Sequence, residues 1–408
     1  MTSTCREHYD ALKYALSLGC NVIDTSANYM NGASENLIGM VLKEHPTYDP
    51  FIITKAGYIQ DDNLMVIAKL NEGGRAKNGL IAISNDCKYS IHPDFLENQL
   101  ELSRGRLNRE WIDGFLLHNP EYYFDQDTQQ VSTAEYYVRI RKAFEVLEDM
   151  VSEGRIRYYG VSSNTFPFGI DKPSTTNLHK LITLAKQVSE RNHFRLIQFP
   201  FNFLETGAIK PHHDGVSLVE LARANGIVTL SNRPLNAKTE AGTLRLASYE
   251  AETQQLEENR DRQIFHDCLE LVNQQLVKLE VPGDAMDFMV INLLNENWMR
   301  LSSPEAVAQV FQDHFYPFLE HLYQGKVPDD DMTNYRKLYQ FANLYAKKTM
   351  TQSALTFRRK MITTGVIRSD DQRPLPVIAC ESYLKSGIDH VLMGMRSVKY
   401  VESVKALF

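Results

Sequence analysis

Four short apolar segments of the chain each end in one polar side chain that can take part in chemistry. The segment NVIDTSANY ends an apolar run at Asp24 and places Tyr29 in the loop beyond it. The segments FIIT, IDGFLL and FRLI run in the same way into Lys55, His118 and Gln198. Apolar runs of this length are typical of strands buried in a parallel sheet, and a parallel α/β barrel carries its functional side chains at the carboxyl ends of its strands. The pattern therefore predicts a barrel with its active site at these strand ends.

Helix and strand patterns alternate along the first 235 residues. The chain opens on an amphipathic helix at Glu7–Leu18, and strands are predicted to end at residues 24, 55, 118, 162, 198 and 230, mostly about 30 to 45 residues apart. A barrel that shares about 250 residues among eight β/α units uses roughly 31 residues for each unit. With a last strand at His390–Met393, the spacing predicts an α/β fold, a (β/α)8 TIM barrel of which seven strands are visible in this chain.

The segment 236–350 interrupts this alternation with helical patterns alone. Stretches such as PEAVAQVFQDHFYPFLEHLY and YRKLYQFANLYAKK are amphipathic at helical spacing. We therefore predict barrel units up to strand 7 of eight at 1–235, a large helical insertion at 236–350, and the last barrel unit with the C-terminal helix at 351–408. The insertion fits either a helical subdomain beside the barrel mouth or a lid or interaction surface, and the pattern favours the subdomain.

The composition argues against several classes of protein. A net charge of -7 and a pI near 6.0 disfavour a nucleic-acid partner, which would call for clustered Lys and Arg. The five cysteines are odd in number and lack C-x-x-C spacing, so they indicate neither a disulfide framework nor a zinc site. Because the sequence has no long apolar run, we expect no membrane span and a cytoplasmic location.

Asp24, Tyr29, Lys55 and His118 are the residue types of a proton-transfer site. A free phenol, with a pKa of about 10, is a weak acid catalyst at neutral pH, and a lysine ammonium within about 4 to 6 Å favours the phenolate. A carboxylate can hold such a lysine in place, and an imidazole can orient a substrate oxygen. Taken singly, the residues have simpler explanations: a strand-end ion pair, a hydrogen-bonded histidine at the barrel rim, and one of 20 tyrosines.

These residues occur in segments that resemble the aldo-keto reductases. The resemblance is carried by GCNVIDTSANY, SENLIGMVL, FIITK, WIDGFLLHNPE, GRIRYYGVSSN, IQFPFN, RPL and MGMR, over about 19–235 and 385–408. It implies a (β/α)8 barrel that binds a nicotinamide cofactor, usually NADPH, without a Rossmann domain. It also implies that Asp24, Tyr29, Lys55 and His118 are the catalytic set, in which the tyrosine donates a proton while hydride passes to a carbonyl carbon.

The same resemblance implies a set of cofactor contacts. The residues it places at the cofactor are Ser162, Asn164, Gln198, Arg233, Gly394 and Arg396. The first three would meet the carboxamide of the nicotinamide. The glycine and arginine of the MGMR segment match a phosphate-binding turn after the last strand, where the planar donors of an arginine suit a 2′-phosphate.

The sequence departs from the family pattern at two positions near this site. Asn232 stands where many members stack an aromatic residue on the nicotinamide, and Ser163 intervenes between Ser162 and Asn164.

The hairpin and first strand that open the family's barrel are absent before Glu7. A barrel of this kind closes with eight strands, so we expect Met1 to be an internal methionine of a longer reading frame or the sequence to be a fragment. The alternatives are that another segment fills the gap or that the barrel stays open.

The sequence thus predicts an NADP(H)-dependent oxidoreductase that reduces an aldehyde or ketone, a small-molecule carbonyl substrate, to an alcohol. The alternative is a cofactor-sensing binding or regulatory protein that docks a partner through its helical insertion. No metal is predicted, because the adjacent residues His212, His213 and Asp214 lie on a loop, where neighbours seldom share one ion. Neither the identity of the substrate nor an oligomeric state follows from the sequence.

Overall fold

The structure is a computed structural model, and the chain in it forms two compact units. It describes residues 5–60, 80–84, 86–126, 131–212, 215–239, 242–247, 249, 253, 258–278 and 289–408. One unit comprises Met1–Lys238 with Pro376–Phe408, and the other comprises Thr239–Leu375.

The strands of the parallel sheet and the helices between them follow one another in the predicted order. The prediction of helices alone at 236–350 is wrong at its start, where Asn236–Thr239 and Gly242–Arg245 form strands too short to show a period in the sequence. The strands are β1 Val22–Asp24, β2 Phe51–Ala56, β3 Tyr58–Gln60, β4 Ile81–Ser84, β5 Cys87–Tyr89, β6 Ile112–His118, β7 Ile156–Ser162, β8 Phe194–Pro200, β9 Val228–Asn232, β10 Asn236–Thr239, β11 Gly242–Arg245 and β12 His390–Val391. The helices are α1 Arg6–Ser17, α2 Ala33–Glu44, α3 Pro93–Leu107, α4 Thr133–Ser152, α5 Leu178–Val188, α6 Leu218–Ala224, α7 Glu258–Lys278, α8 Met289–Glu296, α9 Pro304–Val310, α10 Tyr316–Leu322, α11 Asp329–Thr363, α12 Leu375–Lys385 and α13 Val398–Glu402.

Seven strands form one parallel sheet in the order β1-β2-β6-β7-β8-β9-β12. The seven predicted strands are therefore confirmed. The register pairs His118 with Ser162 and Ser162 with Gln198, which brings these three side chains to one level at the carboxyl edge. This edge is where a parallel α/β fold builds its functional site.

The two faces of the sheet pack against different apolar layers. On one face, Ile53, Leu116, Leu196 and Leu230 form a cluster contributed by four different strands. Gly160 lies so close to the neighbouring strand that a Cβ there would meet the Leu196 carbonyl oxygen at 1.9 Å, which only glycine avoids. The other face packs with helices α2 to α6 into the main core. Their burial fixes the strands rigidly beneath the loops that carry the polar residues.

A small antiparallel sheet, β3-β5-β4, occupies part of the long connection between β2 and α3. The sequence pattern does not predict a strand in this connection. Its strands are only three or four residues long, and β4 and β5 each expose some of their side chains, so their apolar pattern is too short to distinguish from a loop.

The unit Thr239–Leu375 has an aromatic core of its own. The Trp298 ring lies 4.5 Å from that of Phe265 and 5.4 Å from that of Phe341, between centroids. The predicted boundary at residue 350 falls inside α11, and this unit ends at Leu375 instead. The reason is that α11 meets neither glycine nor proline before Gly365, so nothing interrupts the helix at 350.

Among the described parts of the chain, no helix combines the length and apolar character needed to cross a bilayer.

Candidate active site

An ion pair between neighbouring strands lies at the centre of the site. The Lys55 Nζ donates to Asp24 Oδ2 at 2.7 Å and to the Thr25 carbonyl oxygen at 2.8 Å, and lies 3.5 Å from the Tyr29 hydroxyl. The Lys55 side chain is completely buried, at 0% exposure. Burial acts to lower the pKa of Lys55, but the Asp24 carboxylate and the Tyr29 phenol outweigh it, so the pKa lies above its ordinary value. The lysine is therefore an ammonium held between a carboxylate and a phenol.

The loop after β1 has an unusual backbone that presents Tyr29. Met30, Asn31 and Gly32 follow it with φ of 52°, 51° and 79°, three consecutive residues in the left-handed region. Such conformations are unfavourable for residues other than glycine and persist where the surrounding structure holds them in place. Tyr29 is 38% exposed and lines a cavity, so a small molecule there can contact it.

A partly buried ion pair supports this loop. Arg106 Nε donates to Glu35 Oε2 at 2.6 Å, and the Thr54 hydroxyl donates to Glu35 Oε1 at 2.6 Å. The arginine side chain also closes against Gly32, where a Cβ would come within 2.7 Å of Arg106 Cδ. The loop that carries Tyr29 is thus attached both to β2 and to α3.

His118 closes the opposite side of the tyrosine. Its Nδ1 lies 3.1 Å from the Ser26 hydroxyl oxygen, and its ring meets that of Tyr29 edge-on, with centroids 6.1 Å apart. Burial and the Lys55 charge keep the pKa of His118 well below its ordinary range. The imidazole is therefore neutral at pH 7 and can form hydrogen bonds to a substrate without adding charge.

A row of amide and hydroxyl groups extends from Asp24 across the strand ends. Gln198 Nε2 donates to Asp24 Oδ1 at 2.8 Å, and the Gln198 Oε1 accepts from the Ser162 hydroxyl at 3.3 Å and from Asn232 Nδ2 at 3.4 Å. The second Asp24 oxygen is the one that binds Lys55. The strand ends of β1, β2, β7, β8 and β9 are therefore joined in one hydrogen-bonded network.

Glu121 connects the turn after β6 to the segment that follows β7. It lies in the short 3-10 helix Pro120–Asp125, and its Oε1 accepts the backbone N–H of Asn164 at 2.7 Å. Burial raises its pKa to about 7, although hydrogen bonds from Asn164 and Ser163 act in the opposite direction. A buried carboxyl group beside the end of β7 thus has a pKa near neutral.

The raised pKa of Glu121 predicts how stability changes with pH. The folded state holds the proton up to about pH 7, whereas the unfolded chain releases it near 4.5. This contribution to the free energy of unfolding is therefore full below pH 4.5 and is lost as pH rises towards 7, by about 3 kcal/mol. Glu121→Gln removes the titration, so its stability relative to the natural protein should increase between pH 5 and pH 8. Urea denaturation at both values measures the difference, and a constant difference would contradict the prediction.

A cavity of about 560 Å³ opens onto this network. It is lined by Asp24, Tyr29, Gln198, Asn232 and Gly394. It also extends along residues 19–22 and 389–395 to α12 and to the C-terminal residues Val404, Leu407 and Phe408. Its volume lies within the range of about 300 to 1,000 Å³ that is usual for small-molecule sites. The phenol, the carboxylate and two amides thus share a space that a small molecule can enter.

A family model for the aldo/keto reductase family matches residues 2–282 of this chain. The chain belongs to the aldo/keto reductase family. The (β/α)8 barrel of that family is the fold class predicted from the alternating pattern, and it accounts for the parallel sheet with its helices.

Relatives in this family differ in the cofactor that their names specify. The "NADH-specific methylglyoxal reductase" of Escherichia coli is 23% identical over 235 residues, 58% of this chain and 58% of that protein. An aldo-keto reductase of Schizosaccharomyces pombe, named with NADP(+), is 29% identical over 152 residues, 37% of this chain and 35% of that protein. This chain therefore covers less than two thirds of either relative.

Solved structures of the family also align with the chain. The glycerol dehydrogenase of Gluconobacter oxydans aligns with 98% of this chain and 79% of its own, at 18% identity and a TM-score of 0.46.

The predicted cofactor residues fall into two groups in the structure. Ser162 and Gln198 lie within the hydrogen-bonded network, and Gly394 lines the cavity. Arg233 instead forms an ion pair with Glu205 at 2.8 Å; burial lowers the pKa of Arg233 although Glu205 acts to raise it. Arg396 is exposed, in the segment that follows β12.

Three neighbours of the predicted site were missed from sequence. They are Ser26, Tyr58 and Glu121, which contact His118 or the Ser162–Asn164 segment. Glu121 follows His118 by three positions in HNPE, so a polar residue just past a predicted strand end was the available signal. The triplet His212–Asp214, which was not predicted to bind metal, lies partly outside the described residues, since these include His212 but neither His213 nor Asp214.

Proposed function

We propose that this protein is an NADP(H)-dependent oxidoreductase that reduces a small aldehyde or ketone to an alcohol. The observation that carries the proposal is the buried Lys55 ammonium, which binds the Asp24 carboxylate and lies 3.5 Å from the Tyr29 hydroxyl. Membership of the aldo/keto reductase family supports an oxidoreductase that uses a nicotinamide cofactor. The proposal includes a cytoplasmic location, which the five free cysteines support.

In this proposal Tyr29 is the general acid. Its hydroxyl gives a proton to the oxygen of the carbonyl, and the phenolate that remains is stabilised by the adjacent Lys55 ammonium. Asp24 keeps the lysine oriented through the 2.7 Å ion pair. The neutral imidazole of His118 aligns the carbonyl oxygen with the phenol. The four residues thereby divide proton donation, charge stabilisation and orientation among themselves.

Amide groups that line the cavity, with Ser162 and Asn164 at the neighbouring strand end, fit the nicotinamide carboxamide. That carboxamide carries an NH2 donor and a carbonyl acceptor, and the Asn232 Oδ1 is a buried acceptor without a partner among the described residues. Ser162, Asn164 and Gln198 would hold the carboxamide, and the bound cofactor would supply the hydride to the carbonyl carbon. Asn232 would then contribute a hydrogen bond at the position where other members stack a ring.

Cofactor oxidation with a panel of carbonyls tests the proposal. Purified protein is mixed with NADPH or NADH and with aldehydes and ketones of increasing size, and cofactor loss is compared with alcohol formed. Equal amounts of oxidised cofactor and alcohol support the reductase. Tight cofactor binding with no turnover on any carbonyl would favour the alternative, a cofactor-sensing regulatory protein.

Arg396→Ala tests the proposed preference for NADP(H). If Arg396 binds the 2′-phosphate, its loss should weaken NADPH binding by about 1.5 to 3 kcal/mol and leave NADH binding almost unchanged. Fluorescence titration of both cofactors measures the two effects. Lys399→Ala is the matched control, because it removes a nearby cation from the same segment. Equal losses for both cofactors would remove Arg396 from this role.

A further inference from the structure

Glu121 has an environment that is costly for a carboxyl group with only a packing role. The residue is buried, with 9% exposure, and among the described residues its Oε2 has no hydrogen-bond partner. A buried polar atom without a partner is destabilising, and a glutamine or an apolar side chain of similar size would avoid a buried charge. A charge retained at such a cost is more typical of functional positions than of packing positions.

The groups that face Glu121 from the neighbouring elements are phenols. They are Tyr58 on β3, Tyr89 on β5 and Tyr136 on α4, and the proximity of Glu121 contributes to raising the pKa of each. All three are therefore neutral throughout the physiological pH range. The Asn164 N–H donates to Glu121 Oε1 at 2.7 Å. Near neutral pH, ionisation of Glu121 thus changes the charge at this point of the structure, whereas the surrounding phenols stay neutral.

The turn that contains Glu121 holds the strand end of β7 at two points. The Asn119 N–H donates to the Ser162 carbonyl oxygen at 2.7 Å, while Glu121 Oε1 accepts the Asn164 N–H at 2.7 Å. Between them, the Ser163 N–H donates to the Gln198 carbonyl oxygen at 2.9 Å. Three backbone hydrogen bonds therefore fix three consecutive residues, and the bond to Glu121 is the one that depends on a side chain.

We propose that Glu121 is a positioning residue for the cofactor, which fixes the Ser162–Asn164 segment through the Asn164 N–H so that this segment meets the nicotinamide carboxamide. The inference rests on the proposed function, in which Ser162 and Asn164 hold that carboxamide. An ionised carboxylate accepts an N–H more strongly than a neutral acid does. Cofactor affinity therefore increases as Glu121 loses its proton, with a transition near pH 7.

The test compares three variants in cofactor titrations followed by protein fluorescence. Glu121→Ala should weaken NADH and NADPH binding by about ten-fold, because the hydrogen bond to Asn164 is lost. Glu121→Gln retains an acceptor oxygen and should recover much of the affinity. Glu148→Gln is the matched control. Glu148 also accepts a backbone N–H, that of His193 at 2.6 Å, but His193 lies just before the start of β8. This substitution should leave cofactor affinity unchanged.

A pH series separates positioning from a general structural effect. NADH is the ligand of choice, because the 2′-phosphate of NADPH titrates near pH 6 itself. The affinity of the natural protein for NADH should increase several-fold from pH 6 to pH 8, and this increase should be absent in Glu121→Gln. A structural defect would lower affinity equally at every pH. Circular dichroism melts of each variant identify any that fail to fold, and the glutamine variant keeps the test valid if alanine does not fold.

The outcomes distinguish this inference from the proposed function. Suppose that the natural protein binds cofactor and reduces carbonyls while Glu121→Ala binds both cofactors as tightly as the natural protein. In that case the positioning role is wrong, and the proposed reductase function is unaffected. The same conclusion follows if Glu121→Gln keeps the full pH dependence. If the natural protein binds neither cofactor, the proposed function fails and the positioning role fails with it.

Discussion

A Tyr29→Phe variant is expected to lose nearly all carbonyl reduction while it binds cofactor almost as well as the natural protein. The substitution removes one hydroxyl, 3.5 Å from Lys55 Nζ, and leaves the ring that contacts His118. A positioned general acid typically contributes about 10² to 10⁴-fold to rate, so a loss of that size is expected. Steady-state turnover and cofactor titration measure the two effects separately.

Tyr58→Phe is the matched control for this experiment. The Tyr58 ring also lies beside His118, with centroids 4.8 Å apart. Its hydroxyl accepts a hydrogen bond from Asn119 Nδ2, and burial raises the pKa of Tyr58. Its loss should change turnover only modestly. If Tyr58→Phe were inactive and Tyr29→Phe active, the roles of the two tyrosines would be reversed.

A Lys55→Met variant is expected to be both inactive and unstable. Removing the ammonium leaves the Asp24 carboxylate largely buried and deprived of its counter-charge, and breaking a buried pair in this way typically costs about 3 to 5 kcal/mol. It also removes the charge that stabilises a phenolate at Tyr29. Urea denaturation and carbonyl reduction measure the two losses.

The double variant Asp24→Asn/Lys55→Met separates stability from catalysis. A neutral amide next to a methionine leaves no buried unpaired charge, so much of the lost stability should return. Activity should not return, because the phenol still lacks its cation. Recovery of turnover in the double variant would mean that the lysine serves only to balance Asp24.

The sequence predicted the sheet and the centre of the site for a common physical reason. Buried parallel strands are short apolar runs, and a single polar residue at the carboxyl end of such a run interrupts the apolar pattern, so Asp24, Lys55 and His118 marked three adjacent strand ends directly. The observed ion pair between Asp24 and Lys55 follows from the pairing of β1 with β2.

Other features of the fold and the candidate site could not be predicted from a local sequence pattern. Three left-handed residues follow Tyr29; Asn31 and Gly32 favour that conformation, but Met30 does not signal it. The hydrogen bond from the Asn164 backbone to Glu121 joins positions 43 apart in sequence, so its partner cannot be found from spacing. The three-stranded sheet near the site escaped prediction because its strands are too short to show a period.

Transfer of deuterium from labelled cofactor shows whether hydride passes to the carbonyl carbon and whether this transfer depends on Tyr29. The protein is incubated with NADPH deuterated at the transferable position of the nicotinamide and with an aldehyde that supports turnover, and the alcohol is analysed by mass spectrometry. We expect the natural protein to form an alcohol with one deuterium on the carbinol carbon, and Tyr29→Phe to form almost none under the same conditions. An aldehyde that stays unreduced by the natural protein with NADPH bound, or a deuterated alcohol formed equally fast by Tyr29→Phe, would contradict this expectation.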